Sequence, residues 1–315
     1  MSLRSAIGRV LGRSPDTGPP APFVVGFGHS GSTLLRLMLD AHPQMAIPPE
    51  TNFLPDLIKG WDEHGSVDGV MELLTTHRRW GDFNLEADEL RARLEATKPL
   101  DAAAAARCFF GLYADGQGKP RWGDKSPRYA VNMPLIKRTL PEARFVHLIR
   151  DGRDVALSAL KGRDPSPEKV EVTARRWKRR LARARRAAQR VGVYIEVRYE
   201  DLLTDTEAQL RRICEFTELE WDPAVLRYHE RAEERLQEMG DALPPQDPER
   251  AKGTEDRRRS RRMRRHALAA QPPDPDRIAV WRRRMDPDSL AAFEDIAGDE
   301  LAELGYELGA GAPGG

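Results

Sequence analysis

The stretch Phe23-Val24-Val25-Gly26-Phe27-Gly28-His29-Ser30-Gly31-Ser32-Thr33-Leu34-Leu35 constrains this chain more than any other. Phe23 to Val25 is an aromatic and β-branched run, as a buried parallel strand requires. Three glycines then free the backbone to approach a ligand closely. Ser32 or Thr33 opens a helix in which Leu34, Leu35, Leu37 and Met38 recur at helical spacing. The start of such a helix presents free N–H groups and the positive end of a dipole, which suits a phosphate. A glycine turn that merely joins strand to helix has a similar composition.

Spacing separates the two readings in part. In the phosphate loop G-x-x-x-x-G-K-[ST] the glycines correspond to Gly26 and Gly31 and the hydroxyl to Thr33, but the lysine position is Ser32. That lysine neutralises the β- and γ-phosphates in phosphoryl transfer. Its loss points to a phosphate ligand other than a nucleoside triphosphate with Mg²⁺.

Composition bounds the rest. The chain has 315 residues, 40% of them hydrophobic, enough for one sizeable α/β domain. Charged residues reach 32% but the net charge is +1, which argues against a nucleic-acid or membrane polyelectrolyte. Cys108 and Cys214 form no metal spacing and read as free, buried thiols. No run of about 18 apolar residues predicts a membrane helix. Met1 to Arg13 does not read as a secretory signal, and a cytoplasmic location is expected. Residues 1–21 read as a disordered N-terminal linker, residues 22–308 as the domain, and 309–315 as a flexible tail. Within the domain, residues 241–275, rich in proline, arginine and aspartate, read as a mobile basic loop.

Further along, Pro48 and Pro49 hold Glu50 in an extended turn, where it serves either as chemistry or as a favourable charge before a helix over Asn52 to Ile58. Helical spacing recurs at Val70 to Leu74 and Leu85 to Leu94, and Ala102 to Ala106 favours helix; residues 53–115 show no chemistry. Lys125, between Gly123 and Pro127, reads as a lysine on a shaped loop or as a solvated surface residue. Arg144 to Ile149 is a strand with Arg150 at its C-terminal end, where ligands of open α/β sheets gather. Arg150 offers a planar fork to a phosphate, or an ion pair to Asp151 or Asp154. Residues 168–191 form an arginine-rich helix with a solvated face; an acidic substrate or nucleic acid is the sharper reading. Val193 to Tyr199 reads as a strand. Thr204 is placed to cap the helix ending near Phe216, with Glu207 as capping-box partner. A final helix, Ser289 to Leu304, ends at Gly305.

The loop, followed by Leu37-Met38-Leu39-Asp40-Ala41-His42-Pro43 and Pro49-Glu50-Thr51, resembles the 5′-phosphosulfate loop of sulfotransferases. These enzymes use 3′-phosphoadenosine-5′-phosphosulfate (PAPS). The pattern is similar to that of tyrosylprotein sulfotransferases and their bacterial relatives. Phe145-Val146-His147-Leu148-Ile149-Arg150-Asp151-Gly152-Arg153-Asp154-Val155-Ala156-Leu157-Ser158 resembles the family's 3′-phosphate segment. The resemblance implies a P-loop-NTPase-like three-layer fold, with a parallel central sheet flanked by helices. It implies in-line sulfuryl transfer from PAPS to a hydroxyl or phenol, on a small molecule or a peptide, without a metal. Glu50 then matches the general base and Lys125 the lysine that stabilises the sulfuryl charge. Gly28, His29, Ser30, Gly31, Ser32 and Thr33 match the 5′-phosphosulfate loop. Arg150 and Ser158 match the 3′-phosphate ligands, and Tyr199 a tyrosine near the adenosine. The basic segment at Lys252 and Arg257 to Arg265 is either a cofactor-covering loop or disordered.

Two departures stand out. Ile278 to Arg282 resembles the tryptophan segment of the family, but Val280 replaces its cofactor-contacting lysine, so that contact is lost or supplied by a neighbouring arginine. His29 stands where the family usually has arginine or lysine. A permanent charge is thereby replaced by a side chain whose ordinary pKa is about 6.5. Activity is therefore expected to fall on the alkaline side of neutrality, and His29→Arg to remove that limb. A rate profile flat from about pH 6 to 9, or one unmoved by the substitution, sinks the assignment. Two other classes fit parts of the same sequence. One is a P-loop kinase binding Mg·ATP, which Ser32 disfavours. The other is a nucleic-acid module on the arginine helix, which the net charge disfavours.

Overall fold

A computed structural model describes residues 18–160, 165–237 and 267–309. Its strands are β1 (Ala21–Gly26), β2 (Met45–Ala46), β3 (Arg121–Trp122), β4 (Asp124–Lys125), β5 (Ala143–Ile149) and β6 (Tyr194–Arg198). The central sheet runs β4-β1-β5-β6 and is parallel throughout; β2 and β3 pair separately. All six residues of β1 are buried, as expected of a parallel strand covered on both faces.

Alternation along β1 distributes its side chains between two cores. Phe23 and Val25 face one cluster, with Phe145, Phe53, Phe109 and Phe110. The two last residues belong to α2 (Ala102–Gly116), which the alanine run nucleates and Asp101 caps through the Ala104 amide. Val24 faces the other cluster, with Val146, Leu148 and the leucines of α1 (Ser32–Asp40). The sheet is therefore the middle of three layers, an α/β fold as the sequence led one to expect.

A third cluster closes the C-terminal side of the sheet. It joins Ile149, α3 (Gly152–Ala159), α4 (Pro167–Ala188) and α5 (Pro287–Glu303). Trp177 and Leu181 of α4 meet Phe293 and Leu301 of α5. The arginines of α4 are mostly turned outward. Arg185 pairs with Glu196 and Glu303, Lys178 with Glu300.

Several expectations change. β1 begins at Ala21, and the Pro20 carbonyl accepts from Arg121, so the folded unit reaches into the expected linker. Residues 1–17 lie outside the described residues, as do 310–315. Of the expected loop 241–275, residues 241–266 lie outside the description, including Lys252 and Arg257 to Arg265. Residues 267–275 pack on the domain: Ala270 is buried and the Tyr228 hydroxyl donates to the Gln271 carbonyl. Lys125 sits on β4 rather than on a loop. Thr204 does not cap the following helix. It ends the Tyr199–Thr204 helix and donates to the Glu200 carbonyl, while Glu207 pairs with Arg211. Cys214 is buried, but Cys108 is only half-buried; both are free. Among the described residues, no helix is long and apolar enough to cross a membrane.

The C-terminal helix is held by a buried charge knot. Arg153 donates to both carboxylate oxygens of Asp151, at 3.0 and 2.7 Å, and to Glu294 of α5 at 2.5 Å. Its guanidinium also lies 3.7 Å from the Trp281 ring, whose Nε1 donates to Asp151 at 3.0 Å. Removing one partner of such a pair leaves buried charge uncompensated, at a cost of about 3–5 kcal/mol. Arg153→Met is expected to lose stability on that scale in urea unfolding. A loss below about 1 kcal/mol would mean that the knot is not holding α5 in place.

Candidate active site

The site forms where β1 and β5 end and α1 and α3 begin. Gly31 has φ 91°, and a Cβ there would stand 2.4 Å from the Tyr199 ring, so only glycine lets the loop pass this close. His29 is also left-handed, at φ 71°, a conformation uncommon outside glycine. α1 follows directly, its first amides at the loop. The Ser30 hydroxyl is buried and has no partner among the described residues, and the Arg150 Nε is likewise unpartnered. Orphaned donors beside a helix start fit an anionic ligand.

A cavity of about 730 Å³ opens in front of this loop. Gly28, His29, Gly31, Ser32 and Thr33 line it, as do Glu50, Lys125, Arg150, Ser158 and Tyr199. The sequence-predicted residues are thus brought together from five separate segments; Ser30 alone lies behind the lining. At one end Arg150 stacks over Tyr199, 4.5 Å from the ring centroid, and pairs with Asp154 at 3.5 Å. It also donates to the His29 carbonyl. The ion-pair reading and the cavity reading of Arg150 therefore hold at once. His29 Nδ1 lies 3.2 Å from the Ser158 hydroxyl, placing the imidazole at this end. Val280 lines the cavity with Arg277 and Arg284 beside it, so neighbouring arginines stand where the expected lysine is missing.

At the other end Lys125 Nζ lies 3.0 Å from Glu50 Oε1 and 3.4 Å from Thr33 Oγ1. The cation absent from the loop at Ser32 is delivered to it from β4. Arg79 holds the second oxygen of Glu50 at 3.0 Å, and Asn52 approaches it at 3.4 Å. Burial alone would raise the Glu50 pKa, but Lys125 and then Arg79 outweigh it and hold the carboxyl at about 2. Burial likewise lowers the Lys125 pKa, although Glu50 opposes the shift. The helix near Glu50 starts only at Leu54, so Glu50 is placed by these cations rather than by a helix dipole. Arg79 falls in the region read as free of chemistry. An arginine in His77-Arg78-Arg79 carries no local signal that it will meet Glu50.

Behind this pair lies a second contact. Thr51 Oγ1 donates to Asp124 Oδ1 at 2.7 Å, and Tyr129 and Ser126 complete the cluster. Asp124 is fully buried. Burial pushes its pKa up to about 7, against the Thr51 and Ser126 hydrogen bonds. Among the described residues, no group of three or more His, Cys, Asp or Glu is placed to hold a metal ion.

The comparisons with known proteins point one way. Residues 20–223 match the family model described as "Sulfotransferase family". A relative from Caenorhabditis elegans, "Protein-tyrosine sulfotransferase A", is 25% identical over 306 residues, covering 93% of this chain and 69% of the relative. The Drosophila melanogaster "Protein-tyrosine sulfotransferase" is 25% identical, covering 67% of this chain and 40% of the relative. The solved "Sulfotransferase Domain from the Curacin Biosynthetic Pathway" superposes with a TM-score of 0.58 at 20% identity, covering 93% of this chain and all of that one. At that identity the likeness is one of fold. The "Sulfotransferase Domain from the Synechococcus PCC 7002 Olefin Synthase" gives 0.50 at 25% identity, covering 90% and 98%.

Asp124 generates a test. A carboxyl whose pKa is raised from 3.8 to about 7 on folding contributes fully below about pH 3.8, and the contribution is lost as pH rises through 7. Asp124→Asn keeps an acceptor for Thr51 and cannot ionise. The variant is expected to match the wild type at pH 4 and to exceed it at pH 8 by roughly 2–4 kcal/mol in urea unfolding. An equal difference at both pH values would show that Asp124 is ionised in the fold.

Proposed function

We propose, from the premise that this chain belongs to the sulfotransferase family, that it transfers the sulfuryl group of PAPS in-line to an acceptor hydroxyl or phenol at the Glu50–Lys125 pair. The family match makes the chain a sulfotransferase enzyme and supplies the donor class; the residues below are our assignment. The observation that carries it is the single ammonium of Lys125. It lies within reach of both Glu50, at 3.0 Å, and the phosphate loop at Thr33, at 3.4 Å.

Glu50 takes the acceptor proton. At a pKa of about 2 it is ionised but a weak base. Lys125 accounts for much of that depression, so drawing Lys125 toward the sulfuryl oxygens releases Glu50 and raises its basicity as the donor settles. The loop residues Gly28 to Thr33, with the α1 N-terminus, hold the leaving 5′-phosphate. Arg150 and Ser158 hold the 3′-phosphate, with His29 beside them, and Tyr199 lies by the adenosine. The charge that develops on transfer is met by Lys125 and backbone amides, so no metal enters the scheme. The tyrosine acceptor in the relatives' names makes a phenol one reasonable substrate here. The cofactor residues do not encode the acceptor.

Calorimetry with adenosine 3′,5′-bisphosphate, with and without Mg²⁺, tests the donor assignment. Metal-independent binding is expected. It should be lost in Arg150→Ala and retained in Glu50→Gln, while the latter loses about 10²-fold or more in turnover. A preference for Mg·ATP, or binding indifferent to Arg150, overturns the proposal.

A further inference from the structure

Three arginines stand together beside the catalytic pair with no carboxylate partner among the described residues. Arg180 and Arg183 lie three residues apart on α4 and share a face. Arg128 comes from the Pro127–Val131 turn. Arg180 lies over the Phe27 ring at 5.4 Å, and its pKa is pushed down by burial and then by Arg128 and Arg183. Among the described residues none of the three forms an ion pair. On the same helix Arg175, Lys178 and Arg185 have carboxylate partners; what sets Arg180 and Arg183 apart from its other arginines is the groove they share with Arg128.

The three line a groove of about 290 Å³. Asp56 and Lys59 contribute opposite charges there, so the arginines set its sign. Pro127, Arg128 and Arg180 also line the catalytic cavity, so groove and cavity are continuous. The groove includes Asn52, whose amide reaches Glu50 at 3.4 Å. Asn52 thus links the groove to the proposed base.

We propose that this groove is an acceptor subsite for one compact anionic group, so that the substrate already carries a phosphate or sulfate ester when its hydroxyl reaches Glu50. The inference rests on the sulfotransferase reading of the adjoining cavity. Guanidinium forks from two elements converging on a small volume suit a tetrahedral oxyanion. A line of separated carboxylates, as in an acidic peptide, would call for cations spread along a longer track. Mutual repulsion of the three arginines disfavours their present arrangement, and a bound anion relieves it.

The test uses the full chain saturated with adenosine 3′,5′-bisphosphate, with calorimetric titration of matched phenols. 4-Hydroxybenzylphosphonate and 4-hydroxyphenylmethanesulfonate separate phosphate-like from sulfate-like anions, tyrosol is the neutral control, and a tyrosine peptide flanked by aspartates is the extended alternative. At least one compact anion is expected to bind about tenfold more tightly than tyrosol, the scale of a charge-assisted contact. Arg183→Glu should abolish that contrast, and Arg183→Gln reduce it, with unchanged melting temperature and bisphosphate affinity. No contrast in the wild type overturns the inference. So does a contrast that survives Arg183→Glu, or tighter binding of the peptide than of either compact anion. If Arg183→Glu weakens the bisphosphate itself, the arginines serve the donor and the acceptor subsite falls. Wild-type protein that fails to bind the bisphosphate overturns the cavity reading and this one together. Bisphosphate binding without acceptor contrast overturns only this one.

Discussion

The site depends on a ring of four residues made from two sequence neighbours on each side. Glu50 and Thr51 face Asp124 and Lys125: Glu50 meets Lys125 at 3.0 Å and Thr51 meets Asp124 at 2.7 Å. The Glu50 pair is partly open to the cavity, where solvent weakens an ion pair. The Thr51 contact is dry and fixes the register of the turn against the strand. That strand is only two residues long and draws its position from β1, where Phe23 pairs with Asp124 and Val24 with Lys125. The sheet, through β1, thus positions both the glycine loop and Lys125 from one element.

Cations meet both ends of the cavity. Lys125 and Arg79 hold Glu50; Arg150 lies over Tyr199 and reaches the Arg277 carbonyl. Arg150 is held by Asp154, by the Tyr199 face and by the carbonyls of His29 and Arg277. Asp154 in turn accepts from the Trp281 amide, and Trp281 is anchored on Asp151. A residue at the C-terminal side of the chain therefore aims an arginine at the end of β5. This connects the charge knot that fixes α5 to the geometry of the cavity, although no residue of α5 lines it.

What could be read from the sequence was what the chain writes locally. Loop, strand and helix are contiguous at Phe23 to Leu35, and strand, arginine and helix are contiguous at Arg144 to Ser158, so each segment carries its own geometry. Arg79 could not be read, because its role comes only from the packing that brings it to Glu50 across 29 residues. Asp124 was hidden for the same reason: its neighbours Thr51 and Tyr129 arrive from other elements. The Thr204 cap was misread because local chemistry favoured it. The backbone instead inserts a short helix, Tyr199–Thr204, and starts the next one at Thr206. Lys125 lines the cavity as expected of a site residue but was put on a loop, since two residues carry too little periodicity to declare a strand.

The serine at position 32 becomes intelligible from this geometry. In a phosphate loop that carries its own lysine, the cation is fixed on the phosphates and is independent of the acceptor side. Here the cation rises from β4 and stands between the loop and Glu50. It cannot hold Glu50 at about 2 and give its full charge to a transferring group at the same time. On the proposed reading, donor and base therefore compete for one ammonium, and occupancy of the donor side is what makes Glu50 basic. A lysine at position 32 would break that coupling. The loop would then hold its phosphate whether or not Glu50 was ready. On the same reading Arg79 would keep Glu50 oriented once Lys125 turns to the donor, because it grips the other carboxylate oxygen. The acceptor's oxygen can then approach the one that Lys125 has vacated.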